Sequence, residues 1–317
     1  MKGAFFACIM IKFKKVSTFG ILCAIIISVL FFTANTCPSF ASGKTLRLPV
    51  GQEDDTFIRI QALFIKASLR AYPKEQAYIL DPKNTTLLLV ALGIKPAYWS
   101  WLFKMANEEL DLVKNISEIL GLRFVSYNRL SRNSSISCFV YNPKALASVF
   151  FEHRKELLSP DFYLGRVINK ESCLEAFKKI DLEKIINSGK LDDVRGQLVQ
   201  LDKYLITINQ VTWPHSTERD ISPEPFPIGL AMGYNSLDVK EYLRARKDRV
   251  NPQEYLNLVI SDTHDLMIAS RDPNIALSML ANWIKARDMA QQIIDSTLPL
   301  VPINFRYATT RGVHSSL

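Results

Sequence analysis

Nineteen consecutive residues, Val16 to Ala34 (VSTFGILCAIIISVLFFTA), carry no charge, and Lys12, Lys14 and Lys15 stand just before them. A run of this kind inserts into or crosses a membrane, which separates it from whatever folds behind it. Signal h-regions span about 7–15 residues and a spanning helix needs about 20, so the length lies between the two fates. Ser39-Phe40-Ala41 places a small residue at −3 and Ala at −1, as cleavage between Ala41 and Ser42 requires. Two readings follow: an exported periplasmic or secreted protein with its leader removed, or a single-pass inner-membrane anchor. In both, the positive residues stay inside and the body crosses. The sequence therefore divides into a signal peptide or signal anchor (residues 1–41) and one α+β domain (residues 42–317).

The charge follows the same division. The chain has 39 basic and 31 acidic residues, a formal +8, but residues 1–41 hold four lysines and no acid. The remainder carries 35 basic against 31 acidic residues, only +4, so no nucleic-acid partner is expected. Membrane contact through the N-terminal segment is. Hydrophobic residues at 48% and charged residues at 22% exclude a disordered chain. Cys8, Cys23 and Cys37 lie in the leader, leaving Cys138 and Cys173 in the body. These two either pair, closing a loop of about 35 residues for roughly 3–4 kcal/mol, or remain buried thiols.

Periodicity predicts a helix-rich domain with a small sheet. Glu53–Ala71 reads as a helix with Phe57, Ile60, Leu63, Phe64 and Ala67 as its apolar face. Helices follow over Asn107–Leu120, from Asn142-Pro143 to Leu157, over Glu171–Asn187, Asp192–Leu201, Asn235–Arg246 and Asn274–Ile294. Leu122–Tyr127 and Ile136–Tyr141 read as a hairpin, and Tyr204–Asn209 and Leu256–Ser261 as further strands. Pro223, Pro225 and Pro227 predict loop over Pro214 to Pro227. No repeat or low-complexity linker divides the body.

Three stretches, in order, resemble an uncharacterised bacterial domain family typical of clostridia and other anaerobes. They are Leu92-Gly93-Ile94-Lys95-Pro96-Ala97, Cys138-Phe139-Val140-Tyr141-Asn142-Pro143, and Ile228-Gly229-Leu230-Ala231-Met232-Gly233-Tyr234 with Asp238-Val239-Lys240. The third carries the family's I-G-L-x-x-G-Y-x-x-x-D-V-K signature, and together the three lie within about residues 84 to 245. The family's His-Glu pair before I-G-L is Phe226-Pro227 here. The resemblance implies a shared α/β-type fold and no activity.

Chemistry-bearing patterns are few. Ser261-Asp262-Thr263-His264 after a β-rich run looks like the first metal motif of calcineurin-like phosphoesterases, which would make Asp262 and His264 metal ligands. Such a site needs two later histidines and an Asn-His pair; only His314 follows the motif and no Asn-His pair occurs. The competing reading makes Asp262, Thr263 or Asp265 the cap of a helix beginning near His264. No cofactor motif occurs: G-x-G-x-x-G, G-x-x-x-x-G-K-[ST] and H-E-x-x-H are all missing. Gly229 and Gly233 suit close backbone approach, and Tyr98, Trp99 and Trp101 form an aromatic cluster that is either core or a binding groove. The expectation is an exported binding or structural protein with Tyr98, Trp99, Trp101, Gly229, Gly233 and Tyr234 as candidate contact residues. The alternative is a metal-dependent phosphoesterase-like hydrolase.

Overall fold

A computed structural model describes residues 55–100, 107–128, 136–163, 170–209, 226–248, 257–263, 266–308 and 314–316. The apolar run at 16–34, the Ala41–Ser42 junction, Trp101 and His264 lie outside these residues. The described residues all belong to one compact unit, 48–317. It is helix-rich and α+β, with a three-stranded and a four-stranded sheet rather than one small sheet.

The three-stranded sheet explains the architecture. Its strands are β1 (Ala97–Ser100), β2 (Arg123–Asn128) and β3 (Ile136–Tyr141), antiparallel in the order β1-β3-β2. The hairpin expected from the sequence is β2–β3, and β1 joins its far edge. Side chains alternate across a strand, and here both faces are covered. On one face Trp99, Phe139 and Val125 align across the three strands, Trp99 stacking on Phe139 at 5.6 Å. On the other face Tyr98, Val140 and Phe124 align.

Each face belongs to a different hydrophobic cluster. The first takes helices from the middle of the chain: α5 (Pro143–Glu152), α7 (Lys170–Lys178), α8 (Leu182–Asn187), α9 (Arg195–Asn209), α10 (Phe226–Ala231) and α11 (Ser236–Lys247). The second takes α1 (Asp55–Leu69), α2 (Pro73–Leu80), α3 (Thr85–Ala91) and α4 (Asn107–Ile119) from the N-terminal side. It also takes α12 (Pro273–Ile294) and the second sheet, ordered β5-β4-β6-β7. Those strands are β4 (Asn257–Ser261), β5 (Met267–Ser270), β6 (Phe305–Ala308) and β7 (His314–Ser316). The short helix α6 (Arg154–Leu157) continues α5 after His153. Tyr204 of α9 and Phe226 of α10, on either side of the proline-rich stretch, share the first cluster.

Capping chemistry sets several boundaries. The Asn142 side chain accepts from the Ala145 amide at 3.2 Å with Pro143 at the first helical position, as the sequence predicts. Asp181 and Asp272 cap α8 and α12 in the same way. Asp181 also divides the expected 171–187 helix into α7 and α8.

Three local expectations are corrected. Tyr204–Asn209 is the end of α9, not a strand, because Tyr204, Leu205 and Ile208 are all buried at helical spacing. Ser261 closes onto the start of β5 instead of leading into a helix: its amide donates to the Leu266 carbonyl at 2.9 Å and its Oγ accepts from the Leu266 amide at 3.0 Å, while His264 and Asp265 lie outside the described residues. The apolar face expected for α1 is not the one that packs: Ile58, Ala62, Ile65 and Leu69 face the core, because they are the side turned toward α12.

A polar bracket fastens the sheet to α9. Arg123 of β2 pairs with Asp202, whose other carboxylate oxygen accepts from Tyr141 OH at 2.7 Å. Burial and the neighbouring Asp202 carboxylate push the Tyr141 phenol well above its ordinary range.

Candidate functional site

The three family-like segments meet in space. Gly233 ends α10 with φ at 82°, and a Cβ there would lie 3.3 Å from Pro96 Cδ. The Asn142 amide donates to the Pro96 carbonyl at 3.0 Å, and its side-chain amide reaches the Val90 carbonyl at 3.5 Å. Lys95, only 3% exposed, holds its ammonium 4.6 Å from the Trp283 ring centre, a cation–π contact inside the fold. Asp238 accepts from the Arg271 amide at 3.0 Å and so ties α11 to the turn before α12. The Lys95-Pro96 segment thus runs along the seam between the two clusters, and the other two segments grip it.

This placement changes the role of the candidate contact residues. Trp99 is 8% exposed and stacked in the sheet, Tyr98 packs against the second cluster, and Gly229 is buried where a Cβ would meet both Val239 γ-methyls at 2.8 Å. Tyr234 is partly buried against the first cluster. Trp99 and Gly229 are thus interior packing residues, while Tyr98, Gly233 and Tyr234 are half-buried. Trp101 lies outside the described residues.

Of the two metal candidates, Asp262 is described and His264 is not. Asp262 is exposed in the β4–β5 turn, its amide donating to the Asn304 carbonyl at 2.8 Å. Among the described residues no group of three or more His, Cys, Asp and Glu could hold a metal ion. Cys138 and Cys173 are both buried and are not bridged to one another. That is the thiol alternative, and burial pushes the Cys173 thiol up to about 11.

The exposed surface offers a different candidate. On α1 the residues away from the core are not polar: Phe57 is 37% exposed, Ile60 54%, Leu63 57% and Phe64 49%. At 100° per residue these four occupy the side of the helix opposite Ile58, Ala62, Ile65 and Leu69. Arg59, Lys66 and Arg70, all exposed, form one flank, while Gln61 and Ser68 form the other. Lys66 also donates to the Ile293 carbonyl at 2.9 Å, and Asp55 pairs with Lys285 at 2.7 Å, fastening α1 along α12. The exposed fractions sum to about two whole apolar side chains, worth about 3–6 kcal/mol if covered. Sequence reasoning named these residues but assigned them inward. Both faces of α1 are apolar, so the period that reveals the helix does not tell which face packs. Among the described residues no helix is long and apolar enough to cross a membrane. Compared with protein-family models, curated proteins and solved structures, the chain matches none.

Proposed function

We propose that this chain is an exported envelope protein with a binding role at the membrane surface, and that the outer face of α1 is its contact. One observation carries the reading: Ile60, Leu63 and Phe64 stand outward, with Phe57 at their edge against Gly93, on a helix whose flank carries Arg59 and Arg70. An apolar strip with a basic margin suits an anionic lipid surface, where the strip enters the acyl boundary and the guanidinium groups meet headgroups. The occupant is lipid because of what precedes the helix: a 19-residue uncharged run ends at Ala34, only 20 residues before α1. Whether that run is cleaved after Ala41 or kept as an anchor, it delivers the body across the membrane and releases it beside the bilayer. The meeting of the three family-like segments at one seam supports a fold likeness to the clostridial family as part of the same reading.

Photocrosslinking in cells tests the contact. Benzoylphenylalanine replaces Phe64 in the full chain, with Val199 of α9, 39% exposed, as the control position. Phospholipid adducts from position 64 and none from position 199 are expected. Adducts to protein from position 64, or equal lipid adducts from both positions, would refute it. Fractionation with N-terminal sequencing then reads the fate of the leader: Ser42 first in a soluble fraction marks cleavage, and an intact leader in membranes marks anchoring.

A further inference from the structure

A cavity of about 430 Å³ lies between α12, the loop that follows it and the start of β6. Its walls are apolar: Ile284 from the helix, Leu300, Pro302 and Ile303 from the loop, and Phe305 from the strand. The polar exception is the adjacent pair Arg287–Asp288. Arg287 is an unusual lining residue, because its side chain is only 7% exposed. Its Nε donates to Asp288 Oδ1 at 2.6 Å, Nη2 pairs with the same oxygen, and Nη1 donates to the Val301 carbonyl at 3.3 Å. A guanidinium has five N–H groups, so two N–H groups, one on each terminal nitrogen, have no acceptor among the described residues. Buried donors of this kind favour an acceptor that fits the space.

Charge decides what kind of acceptor. Asp288 already neutralises Arg287, so a ligand carboxylate would leave an uncompensated negative charge in an apolar site. A neutral carbonyl satisfies the same N–H groups without that cost. The volume admits on the order of a dozen heavy atoms at about 30 Å³ each, and a site with apolar walls and a few placed polar groups is the usual form of a small-molecule pocket. We propose that this cavity binds a small neutral acyl compound, an amide or ester, with its carbonyl on Arg287 and its chain among Ile284, Ile303 and Phe305. This inference does not rest on the lipid contact of α1.

Titration calorimetry of the full chain in lipid nanodiscs, with empty nanodiscs as blank, tests it using octanamide and octanoate as probes. Octanamide is expected to bind saturably at one site, with octanoate at least tenfold weaker. Ile284→Trp fills the cavity while leaving the Arg287–Asp288 pair intact, and should abolish binding without lowering the melting temperature. If that variant fails to fold, Leu300→Trp on the exposed loop serves instead. Asp288→Asn removes the neutralising charge and should reverse the order, so that octanoate binds more tightly than octanamide. Absence of saturable binding, octanoate equal to or tighter than octanamide in the unmodified chain, unchanged affinity with the cavity filled, or no reversal in Asp288→Asn would each overturn the proposal.

Discussion

Helices α10 and α11 approach closely at Gly229, and the contact yields a prediction with a change of sign. A Cβ at position 229 would lie 2.8 Å from both γ-methyls of Val239 and 3.4 Å from its Cβ. Carbon atoms rest at about 3.5–4.0 Å, so Gly229→Ala must push α11 away or strain Val239. Overpacking of this kind costs about 1–3 kcal/mol. Alanine in a helix returns about 0.5–1 kcal/mol relative to glycine, leaving a net loss of about 0–2.5 kcal/mol. Val239→Ala removes both offending methyls. In that background Gly229→Ala meets no contact nearer than the remaining Cβ, and only the helical gain remains, so it stabilises by about 0.5–1 kcal/mol. The four corners of the double-mutant cycle can be measured by urea unfolding of the full chain in a mild detergent, followed by tryptophan fluorescence. If Gly229→Ala destabilises equally in both backgrounds, the Val239 contact is not what makes glycine necessary there.

Alkaline pH is a second lever. Tyr78, Tyr141, Tyr163 and Tyr204 all have phenols raised above 10 in the fold, burial being the first cause in each. A raised folded pKa means stability is intact below about pH 10 and falls above it, by about 1.4 kcal/mol per pH unit for each tyrosine that ionises only when unfolded. Of the chain's 11 tyrosines, the share of tyrosinate absorbance near 295 nm that belongs to these four should therefore appear together with loss of structure; ionisation of all 11 before unfolding would contradict the burial. Cys173, raised to about 11 by burial, should resist iodoacetamide at pH 8 until urea unfolds the chain, whereas rapid native labelling would place it at the surface. Asn142→Ala removes the α5 cap and should lower stability by about 1 kcal/mol, read from the urea midpoint, with Asn142→Asp retaining most of it. Trp99→Ala deletes a stacked interior ring and should cost about 3–5 kcal/mol; a native-like midpoint would return Trp99 to the surface.

Residues that act locally were legible in the sequence. Asn142-Pro143 and the hairpin pairing of 123–128 with 136–141 were each specified by neighbours a few positions away. What failed was set at long range. Tyr204-Leu205-Ile206-Thr207-Ile208 is β-prone in isolation, but the core that receives Tyr204 and Ile208 lies on helices α7 and α8, and packing there outweighs local preference. Ser261-Asp262-Thr263 carries helix-cap residue types, yet Ser261 Oγ instead serves the backbone of a strand turn. The site suffered most from this. Phe57, Ile60, Leu63 and Phe64 were visible as apolar, but only the position of α12 decides that they face outward. Arg287 gave no signal at all, because its burial depends on a loop that folds back onto the helix after Asp295.

The two-faced sheet has a thermodynamic consequence. Val140 belongs to one cluster and its neighbours Phe139 and Tyr141 to the other, so one strand serves as a wall for both. Melting either cluster strips one face of the sheet and exposes it to water, and the survivor loses the surface on which it was built. Two cores with separate walls could melt at separate temperatures; these cannot without a common loss. Residues 55–308 should therefore absorb heat in a single peak whose calorimetric enthalpy equals the van't Hoff value.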